Sequence, residues 1–394
     1  MSNKNLTFSI LVHYSEIGLK KNNRIYFERL FIKNISNHIL GLEHKRIRLL
    51  SARVFIENIN PSDWDSFKVR LKNVMGLSSA ILMIESISEY SAIQDAVDQL
   101  IENKDFDSFR ITTRRHAKGF NKTSIETNIE LGSYIQKKTK KEVRLSGSDL
   151  NIIIEILKAK SYIGYKKIVG FSGLPSCSQE KALSLISSGI DSPVASFEMI
   201  KRGVNVSFLH FHSYPATSKQ SIDNVKELVN ILTNYQLESK LYCIPLLDIQ
   251  EKIMNTIPDK FWVIFFRRAM LKIANLFALK NKNLAIITGD SIGQVASQTI
   301  SNIRAISAVS ELPILRPLSG MNKNEIINRA KKIGTYDTSI KPYQDCCSYF
   351  VPIHPETKAK IGEVLDLDSK LDLDQEYKEA LDKIDEFVIK FSGE

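Results

Sequence analysis

The segment Leu183-Ser-Leu-Ile-Ser-Ser-Gly-Ile-Asp-Ser-Pro-Val-Ala195 decides how the C-terminal half of this chain folds. Leu183 to Ile186 have the character of a short buried strand, and a Ser187-Ser188-Gly189 turn follows. Pro193 lies where the first turn of a helix tolerates it, because its missing N–H would have no helical partner there. A turn between a strand and a helix N-terminus offers backbone N–H groups and positive potential to phosphate. The segment therefore predicts a pyrophosphate site, and it is not a Walker loop, since no Gly-Lys-Ser/Thr follows.

The turn also carries Asp191. A carboxylate beside bound phosphates is a ligand for a Mg²⁺ ion that bridges them. The same residues are also typical of an ordinary strand–turn–helix in which the aspartate only caps the helix. Both interpretations stay open on this segment alone.

Strands and helices alternate on either side of this segment, which is typical of a parallel sheet wound on both faces. The alternation predicts elements at 182–187, 193–202, 204–209, 218–233, 239–245, 247–256, 260–279 and 284–288. Ligands of such sheets bind at the carboxyl ends of the strands. The acidic stretch 366–394 has helical spacing of its apolar residues, so we expect it to form a helix docked on this domain.

In the N-terminal half the predicted strands and helices follow a different order, which is typical of two small α+β units. The pattern predicts strands at 6–13, 46–57, 79–87, 108–114, 151–157 and 161–170, and helices at 22–40, 63–74, 91–102 and 124–138. The Gly-, Pro- and Ser-containing stretch 171–180 is typical of a linker. We therefore expect domains at 1–75, 76–170 and 181–394.

The excess positive charge of the chain lies entirely in its N-terminal half. Residues 1–175 hold 28 Lys and Arg against 18 Asp and Glu, which accounts for the whole net charge of +10. The densest patch runs from Arg110 to Arg144, with ten basic residues against three acidic ones. A solvated basic face is the ordinary explanation of such a run, but the asymmetry of a whole domain favours a bound nucleic acid. The candidate RNA-binding residues are Arg110, Arg114, Arg115, Lys118, Lys122, Lys137 and Lys138.

Composition places limits on the class of protein. The chain has 394 residues, 43% of them hydrophobic, which is enough for two or three domains with cores of their own. No run of eighteen apolar residues and no apolar N-terminal segment occur, so we expect neither a membrane span nor a secretory signal. Four cysteines do not suggest a disulfide scaffold, and a reducing cytoplasm fits them.

Several motifs together are similar to those of the tRNA uridine 4-sulfurtransferases, the 4-thiouridine synthetases. The segment quoted first resembles the SGGxDS signature of PP-loop ATP pyrophosphatases, from which Ser188 departs because the family usually has glycine there. The other matching segments are Tyr14 to Arg24, Arg114 to Ile135, His210 to Ser218, Thr288 to Thr299, Leu312 to Glu325, Ile333 to Asp337 and Asp345 to Cys347. The resemblance implies an N-terminal ferredoxin-like unit, a THUMP α+β domain that binds RNA, and a doubly wound PP-loop domain.

The resemblance also implies roles for individual residues. It implies nucleotide contacts for Leu185, Ile186, Ser187, Gly189, Ser192, His210, Phe211, Arg267, Gly289 and Gln298. A satisfied core histidine is the alternative for His210, and helical periodicity does not decide between Arg267 and Arg268. The hydroxyl of Ser188 is available to donate to a phosphate oxygen.

The implied reaction is ATP-dependent transfer of sulfur to uridine 8 of tRNA. Asp191, with Mg²⁺, serves adenylation of the uridine O4, and Cys347 carries the sulfur as a persulfide. Cys346 is a bystander or a resolving thiol, and no iron–sulfur cluster is expected, because Trp262-Val-Ile-Phe stands where some archaeal relatives have Cys-x-x-Cys.

The chain resembles the shorter members of the family, which lack a rhodanese domain. They receive sulfur from a cysteine desulfurase or another persulfide donor, and sulfur for the thiamine thiazole is a further family role. A homodimer is compatible with this interpretation. The alternatives are a non-catalytic tRNA-binding protein, a sulfur carrier for thiamine alone, and a different PP-loop ligase.

Overall fold

The computed structural model describes residues 6–342, 350 and 352–393. Contacts within the chain divide it into two compact units, Met1–Gly173 and Leu174–Glu394. Residues 174–179, part of the predicted linker, pack on the C-terminal unit: the Leu174 N–H donates to the Lys201 carbonyl and the Gln179 N–H to the Gly203 carbonyl.

The N-terminal unit is built on a single curved sheet. Its strands are β1 Phe8–Tyr14, β2 Arg46–Leu50, β3 Arg53–Ile59, β4 Leu77–Ile87, β5 Ser108–Arg115, β6 Glu142–Val143, β7 Leu150–Ile156, β8 Lys160–Gly164 and β9 Lys167–Val169. Its helices are α1 Arg24–His38, α2 Trp64–Leu71, α3 Tyr90–Ile101 and α4 Ser124–Thr139. The strand order is β2-β3-β1-β4-β8-β7-β5-β6, and β9 also pairs with β4.

The two small units predicted from the sequence therefore share this sheet. The long strand β4 pairs with β1 on one side and with β8 and β9 on the other. The predicted strand 46–57 is a hairpin of β2 and β3, because Ser51 and Ala52 both have a positive φ (50° and 60°), as a tight two-residue turn requires.

The C-terminal unit has a second sheet, of order β14-β13-β10-β11-β12-β15. The strands are β10 Lys181–Leu185, β11 Asn205–His212, β12 Glu238–Pro245, β13 Ile286–Ile287, β14 Ile314–Leu315 and β15 Asp385–Lys390. The helices are α5 Asp191–Lys201, α6 Gln220–Gln236, α7 Leu247–Thr256, α8 Trp262–Lys280, α9 Ile300–Ser307, α10 Lys323–Ile333, α11 Tyr336–Ser339, α12 Ile361–Asp368 and α13 Asp374–Asp382. Neighbouring strands from β14 to β12 are parallel, whereas β15 is antiparallel to β12.

The main apolar core of this unit lies between the sheet and helices α7, α8, α9, α12 and α13. On the other face, α5 and α6 pack on each other and on β11, with the rings of Phe197 and Tyr235 in edge-to-face contact. The predicted doubly wound parallel sheet is confirmed. It places the ends of β10, β11 and β13 at one edge.

The prediction of a helix over 366–394 is wrong in its last part. The helical spacing of Tyr377 and Leu381 is real and belongs to α13, but α13 ends at Asp382. Residues 385–390 instead form β15, which pairs with β12 from Glu238↔Lys390 to Cys243↔Asp385. Hydrogen bonding to the free edge of a sheet outweighs local helical spacing here, as tertiary context often does.

Candidate functional site

The turn after β10 is held closed by two serine hydroxyls. The Ser187 N–H donates to the Ser192 hydroxyl (2.8 Å), and that hydroxyl donates back to the Ser187 carbonyl (3.2 Å). The Gly189 N–H points to the Ser187 hydroxyl at 3.4 Å. Two turn N–H groups are thus directed at serine oxygens, so the turn is a braced structure at the N-terminus of α5 rather than an open array of donors.

Ser188 does not take part in that bracing. Its side chain is fully buried, and its hydroxyl donates to the Ser221 carbonyl near the start of α6 (3.0 Å). The expectation that this hydroxyl serves a phosphate is therefore wrong for this structure, because it points away from the turn. The φ of Ser188 is not in the left-handed region, so the backbone does not require glycine at this position.

We expect Ser188→Gly to keep nucleotide binding and activity while lowering stability. The substitution removes a buried hydrogen bond and adds backbone freedom, which together cost about 1–2 kcal/mol of unfolding free energy. Urea unfolding and the ATP dissociation constant measure the two effects. Ser187→Gly is the matched control: it removes a hydroxyl that braces the turn, so ATP binding should weaken. Loss of ATP binding in Ser188→Gly would contradict the position assigned to its hydroxyl.

A cavity of about 550 Å³ opens at the carboxyl edge of the parallel strands. Its walls come from the ends of β10 and β11, from the segments after β10 and β13, from α8 and from the chain just before α12. It is lined by Leu185, Ile186, Ser187, Asp191, Ser192, Leu209, His210, Phe211, Lys260, Val263, Ile264, Arg267, Met270, Thr288, Gly289, Asp290, Val295, Ala296, Ser297, Gln298, Pro355 and Glu356. The structure thus brings together Asp191 and all the residues predicted to contact nucleotide except Gly189.

Gly289 lets two parts of this cavity meet. A Cβ atom on Gly289 would lie 2.8 Å from the Ser192 nitrogen and 2.9 Å from its Cα. Backbone of the loop after β13 therefore lies directly against the first turn of α5, and no side chain fits between them.

His210 is 2% exposed and lies on the floor of the cavity. Its Nδ1 lies 3.0 Å from the Ile186 carbonyl, and burial lowers the pKa of the imidazole to about 4. The ring is therefore neutral at pH 7, and the Nδ1–H donates to Ile186, which leaves Nε2 as an acceptor. Nε2 is buried without a hydrogen-bond partner in the described part of the chain, and so is the Gln298 Oε1.

The backbone of Ile186 is already hydrogen-bonded within the protein, so it is not available to a nucleotide. Its N–H donates to the Leu209 carbonyl (2.9 Å), and its carbonyl faces His210. Ile186 therefore contributes mainly apolar wall to the cavity.

The structure distinguishes the two adjacent arginines of α8. Arg267 lines the cavity and forms an ion pair with Asp290. Arg268 is 2% exposed and is used inside the protein, where it donates to the Ala305 carbonyl and pairs with Asp368. Of the two arginines, Arg267 is the one available to a ligand, as the resemblance implies.

Asp191 has two partners that the sequence reasoning missed. Its carboxylate accepts from the Lys323 ammonium (2.7 Å) and from the Gln294 amide (2.7 Å). Lys323 is the first residue of α10, where Asn322 and Glu325 form a capping box. Both partners lie in segments that matched the family, but no local pattern signals that Lys323 meets a residue 132 positions earlier.

Cys346 and Cys347 lie outside the described residues. The chain after them lies against the cavity: the fully buried Asn302 amide donates to the Ala296 and Glu356 carbonyls and accepts from the Ala359 N–H. The other two cysteines are poor nucleophiles. Burial raises the pKa of the Cys243 thiol to about 12, and desolvation, helped by Glu238, raises that of Cys177.

Metal ligands are not clustered in the part of the chain that the structure describes: no group of three His, Cys, Asp or Glu side chains could hold an ion there. None of the described helices combines the length and apolar character needed to cross a bilayer.

The predicted RNA-binding residues of the N-terminal unit fall into two groups. Arg110, Arg115, Lys122 and Lys138 are engaged within the unit, Arg110 and Arg115 with backbone carbonyls, Lys122 with Glu130, and Lys138 with Asp98. Lys118 and Lys137 are exposed. Arg114 and Lys138 belong to both groups, because their side chains are 53% and 49% exposed although Arg114 pairs with Glu155 and Lys138 with Asp98.

A buried carboxylate that the sequence reasoning missed lies beside Arg114. Glu155 on β7 has no exposed side-chain surface and contacts His13 (3.3 Å), Arg53 (3.2 Å), Arg114 (3.3 Å) and His116 (2.7 Å). His13 and Arg53 come from β1 and β3, at the other end of the strand order, so the sheet curls round to bring them to Glu155. Burial alone would raise the pKa of Glu155, but these partners outweigh it and lower the pKa to about 2.

We expect this ion cluster to make the N-terminal unit acid-sensitive. A carboxyl whose pKa is lower in the folded state contributes stability above its unfolded pKa, here 4.5, and loses it as pH falls toward about 2. The loss is at most about 1.4 kcal/mol per pH unit.

The measurement is urea unfolding followed by Trp64 fluorescence in a Trp262→Phe background, since Trp64 is buried in this unit and the chain has two tryptophans. Glu155→Gln should be less stable than the parent at pH 7, and the difference should shrink at low pH. A difference independent of pH would contradict the assignment. Glu130→Gln, an exposed partner of Lys122, is the control and should change little.

Three family models match this chain. The model described as Thiamine biosynthesis protein (ThiI) matches residues 177–373, the ThiI ferredoxin-like domain matches 9–80, and the THUMP domain matches 88–166. The chain is 38% identical to a probable tRNA sulfurtransferase of Moorella thermoacetica, over 97% of this chain and 98% of that protein. The chain belongs to the ThiI family. A probable tRNA sulfurtransferase of a Thermoanaerobacter species is a second ThiI relative, 37% identical over 97% of this chain and 99% of that protein.

A solved structure matches nearly the whole ThiI chain. It is a crystal structure of a 4-thiouridine synthetase in complex with RNA and with bound ATP, at 32% identity and a TM-score of 0.85, covering 98% of this chain and 100% of that one. The predicted family is confirmed, and so is the architecture of ferredoxin-like, THUMP and PP-loop domains. The roles of single residues remain predictions.

Proposed function

We propose that this ThiI-family chain is an ATP-dependent tRNA sulfurtransferase that converts uridine 8 of tRNA into 4-thiouridine. The observation that carries the proposal is the cavity at the β10–α5 turn, which gathers the residues expected to contact nucleotide in a chain of this family. Relatives over the full length are named tRNA sulfurtransferases, and the matching structure of a 4-thiouridine synthetase contains RNA and ATP.

The cavity fits a nucleotide in both its apolar and its polar parts. Leu209, Phe211 and Ile264 are apolar walls suited to a nucleobase, and the polar lining residues His210 and Gln298 suit the polar groups of a base or ribose. Arg267 and the N-terminus of α5 supply positive potential for the phosphates. We assign ATP to this cavity on that complementarity.

The first chemical step is adenylation of the uridine. The uridine O4 attacks the α-phosphorus of ATP, the bond to the β-phosphate breaks, and pyrophosphate leaves. Mg²⁺ supplies charge neutralisation of the phosphates when bound, and Asp191 is the carboxylate at the turn that would hold it. Lys323, 2.7 Å from Asp191, orients that carboxylate and adds a second positive charge at the same place.

The second step transfers sulfur. The terminal sulfur of a persulfide on Cys347 attacks C4 of the adenylated uridine, and AMP leaves with the former O4. A thiol attacks the Cys347 Sγ of the remaining S–S bond, which frees 4-thiouridine and leaves a disulfide between Cys347 and that thiol. A second thiol reduces this disulfide and regenerates the protein thiol. The persulfide is supplied by a cysteine desulfurase or another donor.

The N-terminal unit would hold the tRNA. Its excess positive charge and the exposed side chains of Arg114, Lys118 and Lys137 suit the sugar–phosphate backbone. Cytoplasmic location, where tRNA and the sulfur donor meet, and self-association as a homodimer belong to the same proposal. Fractionation of cells and light scattering of the purified chain test these two points.

The decisive experiment combines the full chain, ATP, Mg²⁺, a tRNA transcript, cysteine and a cysteine desulfurase. Mass spectrometry of the digested tRNA should show 4-thiouridine at position 8, and pyrophosphate release should depend on tRNA. Absence of pyrophosphate release would favour a non-catalytic tRNA-binding protein. A deletion strain that keeps 4-thiouridine but requires thiamine would favour a sulfur carrier for thiamine alone.

A further inference from the structure

Asp290, which none of the predicted roles includes, lies between two arginines at the wall of the cavity. It follows Gly289 in the loop after β13 and is 3% exposed. An acidic group is unexpected beside a site for ATP phosphates, because its charge opposes theirs. The contacts of the Asp290 carboxylate with the two arginines indicate its role.

Both oxygens of Asp290 are occupied. Oδ1 accepts from the Nη2 group of Arg267, and Oδ2 accepts from the Nε of Arg316 (3.0 Å) and from the Thr288 hydroxyl (2.8 Å). Burial raises the pKa of Asp290, but Arg267, Thr288 and Arg316 outweigh it and hold the pKa below its usual value. The carboxylate is therefore charged at pH 7 and accepts from three donors.

The two arginines lie on different sides of this carboxylate. Arg267 lines the main cavity, and its Nη1 points toward the Ser297 carbonyl and hydroxyl (3.4 and 3.3 Å). Arg316 does not line that cavity; its Nη2 donates to the Ser307 hydroxyl (2.7 Å), which anchors it on α9. Asp290 thus connects an anchored arginine to the arginine that faces the ligand.

An arginine side chain has several rotatable bonds, and each must be fixed before its guanidinium can meet a phosphate. A charged hydrogen bond to Nη2 fixes the plane of the Arg267 guanidinium, and a phosphate would replace the long contacts of Nη1 with Ser297. The cluster of Asp290, Arg267 and Arg316 still has a net charge of +1, so it attracts phosphate while Arg267 is held in place.

We propose that Asp290 is a positioning residue for nucleotide binding, which orients Arg267 toward the phosphates of ATP and is itself held by Arg316 and Thr288. This inference rests on the proposed function, since it takes Arg267 as a phosphate contact. Asp290 is negatively charged, as the phosphates of ATP are, but it increases the affinity for ATP because it orients Arg267.

The test is the affinity of the full-length Asp290→Asn chain for ATP and for adenosine, measured by calorimetry. If Asp290 acted only through its charge, the Asp290→Asn chain would bind ATP more tightly, because a negative charge has been removed beside the phosphates. If Asp290 positions Arg267, the Asp290→Asn chain should bind ATP about 10- to 100-fold more weakly, because one charged hydrogen bond is lost. The affinity for adenosine should stay unchanged, since it has no phosphate for Arg267 to contact.

The outcomes separate the possibilities. Equal or tighter ATP binding overturns the proposal, and so does an equal loss of ATP and adenosine affinity, which would mean general damage to the cavity. If Asp290→Asn does not fold, Arg316→Gln decides instead: weaker ATP binding with unchanged adenosine binding supports positioning, and unchanged ATP binding overturns it.

Two further variants complete the design. Asp368→Asn is the matched control, because Asp368 pairs with Arg268 and Lys272 and does not line the cavity, so ATP affinity should not change. Arg267→Gln tests the proposed function on its own. If Arg267→Gln leaves ATP affinity intact, the phosphate contact fails; if it weakens ATP binding and Asp290→Asn does not, only the positioning role fails.

Discussion

Replacing Cys347 with serine should abolish 4-thiouridine formation, whereas ATP binding, tRNA binding and tRNA-dependent pyrophosphate release should persist. The reason is chemical: only sulfur can carry a transferable sulfur atom as a persulfide, and serine retains the size of the residue without that capacity. Cys347 lies outside the described residues, so its role rests on the motif Asp345-Cys-Cys347.

The two described cysteines, Cys177 and Cys243, support this expectation because the pKa of each thiol is raised. Cys243 is fully buried on β12, with a thiol pKa raised to about 12, and the Cys177 thiol pKa is also raised. Neither has the low thiolate pKa that a persulfide carrier needs at neutral pH. We therefore expect the transferred sulfur to be carried by one of the pair Cys346 and Cys347.

The experiment follows pyrophosphate and 4-thiouridine in the same reaction. Cys177→Ser is the control and should retain both products. Cys346→Ser distinguishes its two possible roles: normal turnover marks a bystander, whereas a single turnover that is rescued by added thiol marks a resolving cysteine. Full thiolation by Cys347→Ser would refute the assignment of the sulfur carrier.

The parts of the site that could be predicted from the sequence share a physical basis. In a parallel sheet all carboxyl ends lie at one edge, so residues following β10, β11 and β13 had to come together wherever the strands were placed correctly. Ser187, His210 and Gly289 line one cavity for this reason. The family resemblance indicated which residues of those segments would contact the nucleotide.

The missed residues depend on side chains that meet from distant segments. Asp290 meets Arg267 and Arg316, Asp191 meets Lys323, and Glu155 meets four partners across a curled sheet. Helical periodicity could not separate Arg267 from Arg268, because α8 is apolar on most of its surface and a buried arginine finds its partners elsewhere, at Asp368 and Ala305.

The errors in the fold have the same origin. Residues 384–388 satisfy a helical spacing, yet the open edge of β12 offers them a ladder of backbone hydrogen bonds. The shared sheet of the N-terminal unit depends on β4 pairing on both of its edges. Which strand pairs with which is a property of the whole chain, and no local window contains it.

Replacing Asp191 with asparagine should lower the rate of tRNA-dependent pyrophosphate release about 10²- to 10³-fold, the range observed when one charged group at a reacting centre is removed. Asparagine keeps the shape of the side chain at the first turn of α5 and loses the charge that pairs with Lys323 and would hold Mg²⁺. The fold and the affinity for adenosine should not change.

A double-mutant cycle sharpens this test. Asp191 and Lys323 are 2.7 Å apart, so their effects should not add: Lys323→Gln in the Asp191→Asn background should cost much less than it does alone. Asp248→Asn is the matched control, since Asp248 is exposed and pairs only loosely with Lys383 at 3.4 Å. If Asp191→Asn releases pyrophosphate at the parent rate, Asp191 has only a structural role through Lys323 and Gln294, and the carboxylate for adenylation must be sought elsewhere in the cavity.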